Sequence, residues 1–116
     1  MNQTLLTYQP MMTSVGADAL DTEILKLLAD PLRAQIIGLL ARESLCVCHI
    51  VEETGAQQTN ISNHLRVLRR ARLVEAEPCG RYTYYRLRPE ALEALAGRLS
   101  ELARTARSTD QKRPCP

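Results

Sequence analysis

Hydrophobic residues recur at helical spacing in five segments of the chain. Apolar residues three and four positions apart lie on one face of a helix. This spacing predicts helices at about 17–29, 31–41, 45–54, 57–71 and 90–104. Asp30-Pro31 is typical of an N-cap followed by the first helical residue, Ser44 is a candidate N-cap for the third helix, and Gly55 is typical of a helix end. The third and fourth helices, joined by a tight glycine turn, form a predicted helix-turn-helix.

A strand pattern follows the fourth helix. Residues 73–77 and 81–87 flank Pro78-Cys79-Gly80, and the second run contains three of the four tyrosines. This combination predicts a β-hairpin, and a hairpin directly after a recognition helix is the wing of a winged helix-turn-helix. We therefore expect a mainly α fold with about five helices and a two-stranded wing over 17–105. An N-terminal arm at 1–16 would precede it, and a flexible C-terminal tail at 106–116 would follow.

Composition agrees with one helical domain. The chain has 116 residues, 45% of them hydrophobic, with four Tyr and no Trp or Phe, so the core must be aliphatic. The sequence has no apolar run long enough to cross a membrane, and residues 1–12 lack the features of a signal peptide. We therefore expect a cytoplasmic protein whose four cysteines are thiols.

The net charge of +2 conceals a local concentration of positive charge. Residues 57–88 contain seven Arg and two Glu, a net charge of +5. A basic segment on a nearly neutral protein is typical of nucleic-acid binding, although a solvated helix face can also be basic.

The fourth helix presents a polar face opposite its apolar stripe of Ile61, Leu65 and Leu68. Asn and Gln can bind adenine edges, Arg can bind guanine, and Ser and Thr suit phosphates or base edges. No acid occurs from 57 to 73, which favours DNA over an ordinary solvated face. The candidate DNA-binding residues are Gln58, Thr59, Asn60, Ser62, Asn63, His64, Arg66 and, in the wing, Arg81. His64 has an alternative role, which is to pack against the turn and fix the helix.

Four motifs together resemble the ArsR/SmtB family of metal-sensing repressors. They are Leu28-Ala29-Asp30-Pro31-Leu32-Arg33, Leu45-Cys46-Val47-Cys48, Ile61-Ser62-Asn63-His64-Leu65-Arg66-Val67-Leu68, and Gly80-Arg81 with Tyr85-Arg86-Leu87. The resemblance covers about residues 18–104 and implies a winged-helix homodimer that releases DNA when it binds its inducer. The first and last helices would form the dimer interface, in agreement with a narrow leucine stripe on the last helix. Such a dimer would bind an inverted repeat in double-stranded operator DNA. The stripe consists of Leu92, Leu95, Leu99 and Leu102.

Cys46 and Cys48 lie at the start of the helix that supports the recognition helix. On a regular helix, residues two apart point about 200° away from each other. Two thiolates there could not hold one ion unless the first turn unwound, and unwinding would misplace the recognition helix. A helix N-terminus also lowers the pKa of a thiol. The alternative is two cysteines that act as small hydrophobic residues.

The Leu-Cys-Val-Cys motif resembles the thiol motif of arsenite/antimonite-responsive and cadmium/lead-responsive repressors. In the arsenic group a third cysteine is common at the position that Val51 occupies here. The aspartate that usually follows the second cysteine is replaced here by His49. Residues 1–16 lack the cysteine of the cadmium/lead group, and 89–107 lack the histidine of the zinc sensors. The resemblance thus implies As(III) or Sb(III) as inducer, with no required cofactor. The third ligand stays open between Cys115, Cys79, a small exogenous thiol and no third ligand. We expect His49 to be a surface or packing residue, with ligation of a harder metal such as zinc as the alternative.

The function predicted from the sequence is repression of an arsenic-resistance operon, relieved by As(III) or Sb(III) at Cys46 and Cys48. The alternatives are an ArsR-family regulator of another soft metal, such as cadmium or lead, and a switch driven by thiol oxidation. A Cys-x-Cys disulfide would be strained, which disfavours oxidation. A small thiol enzyme is disfavoured because the chain has no Cys-x-x-Cys and no βαβ pattern. A winged helix used only for protein contact is disfavoured by the acid-free recognition face.

Overall fold

The computed structural model describes residues 20–116, and these residues form five helices and a three-stranded antiparallel sheet. The predicted arm at 1–16 lies outside the described residues. Within them, no helix combines the length and the apolar character that crossing a membrane requires. The elements are α1 (Thr22–Ala29), α2 (Pro31–Leu40), β1 (Leu45–Cys46), α3 (Val47–Thr54), α4 (Gln58–Arg70), β2 (Val74–Cys79), β3 (Tyr82–Leu87) and α5 (Glu90–Ser108).

Two aspartates set the starts of α1 and α2. Asp21 accepts a hydrogen bond from the Ile24 N–H, so α1 begins at Thr22 rather than at the predicted residue 17. Asp30 accepts from the N–H groups of Leu32 and Arg33, with Pro31 at the first helical position, as predicted. The hydrogen bond from the Arg33 N–H is the main reason that the pKa of Asp30 lies below its usual range.

The helix-turn-helix consists of α3 and α4, which pack against each other. Gly55 ends α3 at a φ of +74°, a left-handed conformation that favours glycine. The stripe of Ile61, Leu65 and Leu68 on α4 is buried, as the spacing predicts. This stripe joins a core of aliphatic side chains to which Cys46 also belongs. The largest fully buried side chains are Ile36, Ile50, Ile61, Leu65, Leu68 and Leu73.

The wing differs from the predicted two-stranded hairpin. The strand order is β1-β3-β2, so Leu45 and Cys46 form a third strand on β3, opposite Tyr85 and Tyr84. The prediction of a helix from residue 45, capped by Ser44, is therefore wrong. Pairing with the wing extends these two residues, and α3 begins at Val47 with Cys46 as its N-cap.

The turn of the wing is also tighter than predicted. Pro78 and Cys79 belong to β2, where they pair with Thr83 and Tyr82, and only Gly80-Arg81 connects the strands. Gly80 has a φ of +64°, as a tight hairpin turn requires. Pro78 is tolerated because β2 is an edge strand, in which a residue can lack an N–H donor.

The chain divides into two compact units, one spanning 21–93 and the other containing 94–116. Helix α5 continues to Ser108, four residues beyond the predicted end, so positions 106–108 of the predicted tail are helical. In the second unit Leu95 is buried, whereas Leu99 and Leu102 are 46% and 51% exposed.

Candidate functional site: a thiol-imidazole cluster beside a recognition helix

The Cys46 and Cys48 side chains do not point to opposite faces of a helix. Cys46 has φ −91° and ψ 170°, which is extended backbone, because it caps α3 instead of belonging to it. Cys48 is the second residue of α3. The expectation that the first turn must unwind before both thiols meet one ion is therefore wrong. The two sulfur atoms already lie within 4.8 Å of each other.

His49 completes this group, which we call the thiol-imidazole cluster (Cys46, Cys48 and His49). The sulfur atoms and a ring nitrogen of His49 all lie within 4.8 Å of one another. Cys46 is buried, His49 is half-buried and Cys48 is exposed. In the described part of the chain, no other group of three or more His, Cys, Asp or Glu residues is arranged to hold a metal ion.

Cys46 and His49 also form a reciprocal capping box at the start of α3. The Cys46 N–H donates to His49 Nδ1 over 3.2 Å, and the His49 N–H donates to the Cys46 side chain. Cys46 Sγ itself lies 3.3 Å from Nδ1. A capping box normally combines Ser or Thr with Glu or Gln three residues later. Here a thiol and an imidazole satisfy the same two backbone donors, so the predicted surface or packing role of His49 is incomplete.

The two thiols have pKa values that move in opposite directions. Burial raises the pKa of Cys46, but hydrogen bonds from the Cys48 thiol and from the His49 and Cys48 N–H groups outweigh it, and the net pKa is lowered. The Cys48 thiol donates a hydrogen bond to Cys46, and this bond raises the pKa of Cys48. Cys46 is thus the first thiol of the pair to become a thiolate, the form that binds metals and metalloids.

A cleft of about 400 Å³ opens beside His49. Tyr84 forms part of its wall, and the Tyr84 ring lies 6.0 Å from that of His49, tilted by 55°. Glu43, Glu52 and Glu53 also line the cleft, with Arg42 as the basic residue among them. The lining of the cleft beside His49 therefore carries net negative charge.

The other two cysteines are exposed. Cys79 ends β2 at the tip of the wing and does not belong to the cluster. Cys115 belongs to the second unit, and its service as a third ligand stays a prediction.

The predicted DNA-binding residues of α4 lie along its accessible side. Ser62 and His64 are half-buried, and the other predicted DNA-binding residues of α4 are exposed. Arg66 Nη2 donates to Asn63 Oδ1 over 2.6 Å, so these two side chains form one polar unit. Arg81 is exposed in the turn of the wing. The exposed members of the predicted set on α4 are Gln58, Thr59, Asn60, Asn63 and Arg66.

Arg33 is a residue of this surface that the sequence reasoning missed. Its Nε donates to His64 Nδ1 over 3.0 Å, which joins α2 to the recognition helix α4. Nδ1 accepts this bond, so Nε2 carries the ring proton when His64 is neutral. This bond would let His64 fix the helix, the alternative role predicted for it, and that role stays a prediction. The Asp-Pro-x-Arg pattern already suggested a helix start, but not a partner 31 residues away.

Ion pairs join the two long strands of the wing to each other and to the start of α5. Glu75 of β2 forms ion pairs with Arg86 and Arg88, and Arg88 also pairs with Glu90. The hydrogen bond from Arg86 is the main reason that the pKa of Glu75 is lowered. These pairs occupy two of the seven arginines of the basic segment and leave Arg81 free of ion pairs within the described residues.

Comparison with known proteins agrees with the fold and with the sequence motifs. The family described as "Bacterial regulatory protein, arsR family" matches residues 30–76. The chain is 36% identical over 81 residues to the uncharacterized HTH-type transcriptional regulator MJ1325 of Methanocaldococcus jannaschii, covering 69% of this chain and 91% of that protein. The chain belongs to the ArsR family. Its ArsR-family winged helix-turn-helix is a DNA-binding fold, and the chain is a transcriptional regulator, not an enzyme.

Two further ArsR-family matches carry names connected with arsenic. The arsenic resistance transcriptional regulator ArsR1 of Pseudomonas putida is 43% identical over 68 residues, which are 58% of this chain and 53% of that protein. The chain thus spans about half the length of that curated relative. A crystal structure titled "Possible transcriptional regulator for arsenical resistance" is 33% identical with a TM-score of 0.61, over 80% of this chain and all of that one.

Proposed function

We propose that this ArsR-family chain represses an arsenic-resistance operon and leaves its operator when As(III) or Sb(III) binds Cys46 and Cys48. The observation that best supports this proposal is the thiol-imidazole cluster, in which two thiols lie within 4.8 Å of each other at the start of the helix that supports α4. Trivalent arsenic and antimony are soft and prefer sulfur ligands. The arsenic-related names of two similar proteins support this choice of inducer.

The position of the cluster supports a direct effect on DNA binding. Cys46 is hydrogen-bonded into the wing sheet, and α3 packs against α4. Bonds from one As(III) to both sulfur atoms would move Cys46 relative to Cys48, and both the wing and the recognition helix are connected to that junction. The inducer thus biases the elements that contact DNA, which is the coupling that an inducible repressor needs.

Operator binding is assigned to α4 and the wing. Asn63 and Arg66 at the centre of the exposed face would contact base edges, while Arg69 and Arg70 at the helix end and Arg81 in the wing would contact phosphates. His64 would keep α4 in position, with Nε2–H available as a donor.

The functional unit is proposed to be a homodimer on an inverted repeat. Leu99 and Leu102 expose apolar surface along the predicted leucine stripe of α5, and a second copy of the chain would cover it. A two-fold dimer would present two α4 helices about one turn of DNA apart. Sedimentation of the purified chain measures this directly. Leu99→Glu should shift a dimer toward monomer, whereas a wild-type chain that sediments as a monomer would contradict the assignment.

The inducer is tested by operator binding with reduced, full-length protein. Fluorescence anisotropy of labelled upstream DNA would be measured with arsenite, antimonite, cadmium, lead and zinc in parallel, and with peroxide in place of metal. We expect arsenite and antimonite to weaken binding at the lowest concentrations. Release by cadmium or lead alone would favour the soft-metal alternative, and release by peroxide alone would favour thiol oxidation. Either result contradicts the proposed inducer.

Matched cysteine variants assign the response to the cluster. The Cys46→Ser/Cys48→Ser variant should bind the operator and fail to respond to arsenite. The Cys79→Ser and Cys115→Ser variants remove exposed thiols outside the pair, and each tests one predicted third ligand. Loss of the response in Cys115→Ser alone would identify Cys115 as that ligand.

A further inference from the structure

We propose that Arg72, in the link between α4 and the wing, contacts a phosphate of the operator backbone, and that the chain keeps an arginine there at a cost in stability. The inference rests on the proposed assignment of operator binding to α4 and the wing. It depends neither on the identity of the inducer nor on the thiol-imidazole cluster.

Arg72 has a backbone conformation that is unusual for an arginine. Its φ of +64° is the only positive φ at a residue other than glycine within residues 20–116. In this left-handed conformation the Cβ atom of an L-residue crowds the following carbonyl oxygen, and glycine avoids that contact. Helix α3 also ends in a left-handed residue, and there the position is occupied by Gly55, at a φ of +74°. Arginine is therefore the less stable choice at the end of α4.

The end of α4 does not need the guanidinium group of Arg72. The Arg72 N–H donates to the Arg69 carbonyl oxygen over 2.9 Å, and the Leu73 N–H donates to that of Leu68 over 3.0 Å. This pair of bonds is the Schellman pattern, which satisfies the carbonyl groups of a helix end through the backbone alone. Leu68 and Leu73 are both fully buried, so the core holds the turn in place. Glycine would serve a purely structural role here at least as well as arginine.

The positive charge of Arg72 is not compensated within the described chain. Its side chain is exposed, and none of the ion pairs among residues 20–116 includes it. Glu75, the acid nearest to it in the sequence, is already paired with two arginines of the wing side. Arg69 and Arg70 place two cations in the last turn of α4, where they complement the negative end of the helix dipole. The charge of Arg72 is therefore available to a partner with negative charge.

The DNA backbone is the partner that the position of Arg72 favours. Residues 71–73 join α4 to β2, the two elements between which operator phosphates would lie. Contacts with phosphates add affinity and fix the orientation of the protein, but they do not read the base sequence. Strained backbone is tolerated where the side chain that it carries serves a function. The contact should thus strengthen binding to all DNA sequences alike.

Arg72→Gly is the central variant because it removes the charge and the strain together. Anisotropy of labelled upstream DNA would be measured with reduced, full-length protein over a salt series. We expect binding to operator and to altered DNA to weaken alike, by about threefold or more, and the slope of log K against log salt to fall by about 1. Relief of strain offsets the entropy that glycine adds to the unfolded chain, so the urea midpoint should stay the same or rise.

Two control variants separate charge from structure. Arg72→Lys keeps the charge and the strained backbone, and it should retain most of the affinity and the salt slope. Arg42→Gln removes an exposed arginine from the cleft that three glutamates line, and it should change neither.

The outcomes distinguish this inference from the assignment on which it rests. Wild-type affinity and salt slope in Arg72→Gly, while the wild-type protein binds its operator, would overturn this inference alone. Weaker binding of Arg72→Gly together with a lower urea midpoint would also overturn it, because Arg72 would then act through the fold. A wild-type protein that does not bind upstream DNA would overturn the assignment of operator binding, and this inference with it.

Discussion

Cys46 lies opposite Tyr84 in the antiparallel pairing of β1 with β3. Cys46, the first residue of the candidate inducer site, therefore belongs to the same sheet as the wing. Tyr84 also places its ring against His49, so one wing residue contacts the cluster through both the backbone ladder and a side chain. A movement of Cys46 would therefore act directly on the wing through this sheet, in addition to its effect through α3 and α4.

We predict that Tyr84→Ala weakens the coupling between arsenite and DNA more than it weakens arsenite binding. Loss of the ring removes the side-chain contact with His49, and residues that connect two sites commonly change coupling by about 0.5–2 kcal/mol. The measurement is the ratio of operator dissociation constants with and without arsenite. Tyr84→Phe keeps the ring and should retain the wild-type ratio. An unchanged ratio in Tyr84→Ala would show that the wing does not participate.

The capping box predicts a difference between two substitutions of His49. His49→Ala removes the acceptor for the Cys46 N–H and should lower the free energy of unfolding by about 1 kcal/mol, the typical cost of a lost cap. His49→Gln can restore the acceptor and should lose less than half of that. Urea denaturation of the two variants checks this, and equal destabilisation by Ala and Gln would rule out a capping role.

Much of the fold follows from local sequence signals, and the thiol site does not. The stripe of Ile61, Leu65 and Leu68 and the cap at Asp30-Pro31 depend on neighbours within one or two helical turns. Strand β1 is only two residues long, too short for a periodicity, and its partners in β3 are about forty residues away.

The same non-local pairing explains the errors at the cluster. Because β3 extends Cys46, the residue caps α3, and its thiol meets that of Cys48 where a regular helix would separate them. A Cys followed three residues later by a His also does not match the residue types of the usual capping box, so the sequence did not predict a capping role for His49. The spacing between the two was the available signal.

The Arg33–His64 hydrogen bond predicts that both residues position the recognition helix. Arg33→Ala and His64→Ala should each weaken operator affinity, and the double variant should cost less than the sum of the single effects. Contacting residues in one network commonly show interaction energies of about 0.5–3 kcal/mol. His64→Gln can still accept from Arg33 and should recover part of the affinity. Strictly additive effects would show that the pair does not act together.

The assignment of base and phosphate contacts predicts two kinds of salt dependence. Arg70→Ala should weaken binding to all sequences alike and reduce the slope of log K against log salt by about 1. Arg66→Ala should instead reduce discrimination against altered operator bases, at a cost of about 1–3 kcal/mol. Anisotropy titrations over a salt series on operator and altered DNA compare the two. Identical behaviour of both variants would contradict the assignment.

The hydrogen bond from Cys48 predicts the order in which the thiols titrate. In a Cys79→Ser/Cys115→Ser background, ultraviolet thiolate absorbance should show Cys46 ionising below the usual thiol pKa and Cys48 above it. Cys48→Ser keeps a donor and should preserve the lowered pKa of Cys46, whereas Cys48→Ala should raise it. Two indistinguishable thiols at the ordinary value would argue against this hydrogen bond.

The lowered pKa of Cys46 also determines whether its contribution to the free energy of unfolding rises or falls with pH. A thiol with a lower pKa in the folded state stabilises the fold above its unfolded pKa, and this contribution disappears as pH falls through the folded pKa. The Cys46 contribution to the free energy of unfolding should therefore increase with pH between those two values. Urea denaturation over that interval, compared with Cys46→Ser, checks the direction, and a contribution that falls with rising pH would refute it.

The most direct test of the account is the operator affinity of reduced, full-length protein with and without arsenite, compared with Cys46→Ser/Cys48→Ser. We expect arsenite to raise the wild-type operator dissociation constant at least tenfold, a coupling free energy of about 1.4 kcal/mol or more. The double variant should bind the same DNA with an affinity that arsenite does not change. Equal effects of arsenite on the two proteins, or no effect on the wild type, would contradict the claim that these thiols carry the inducer response.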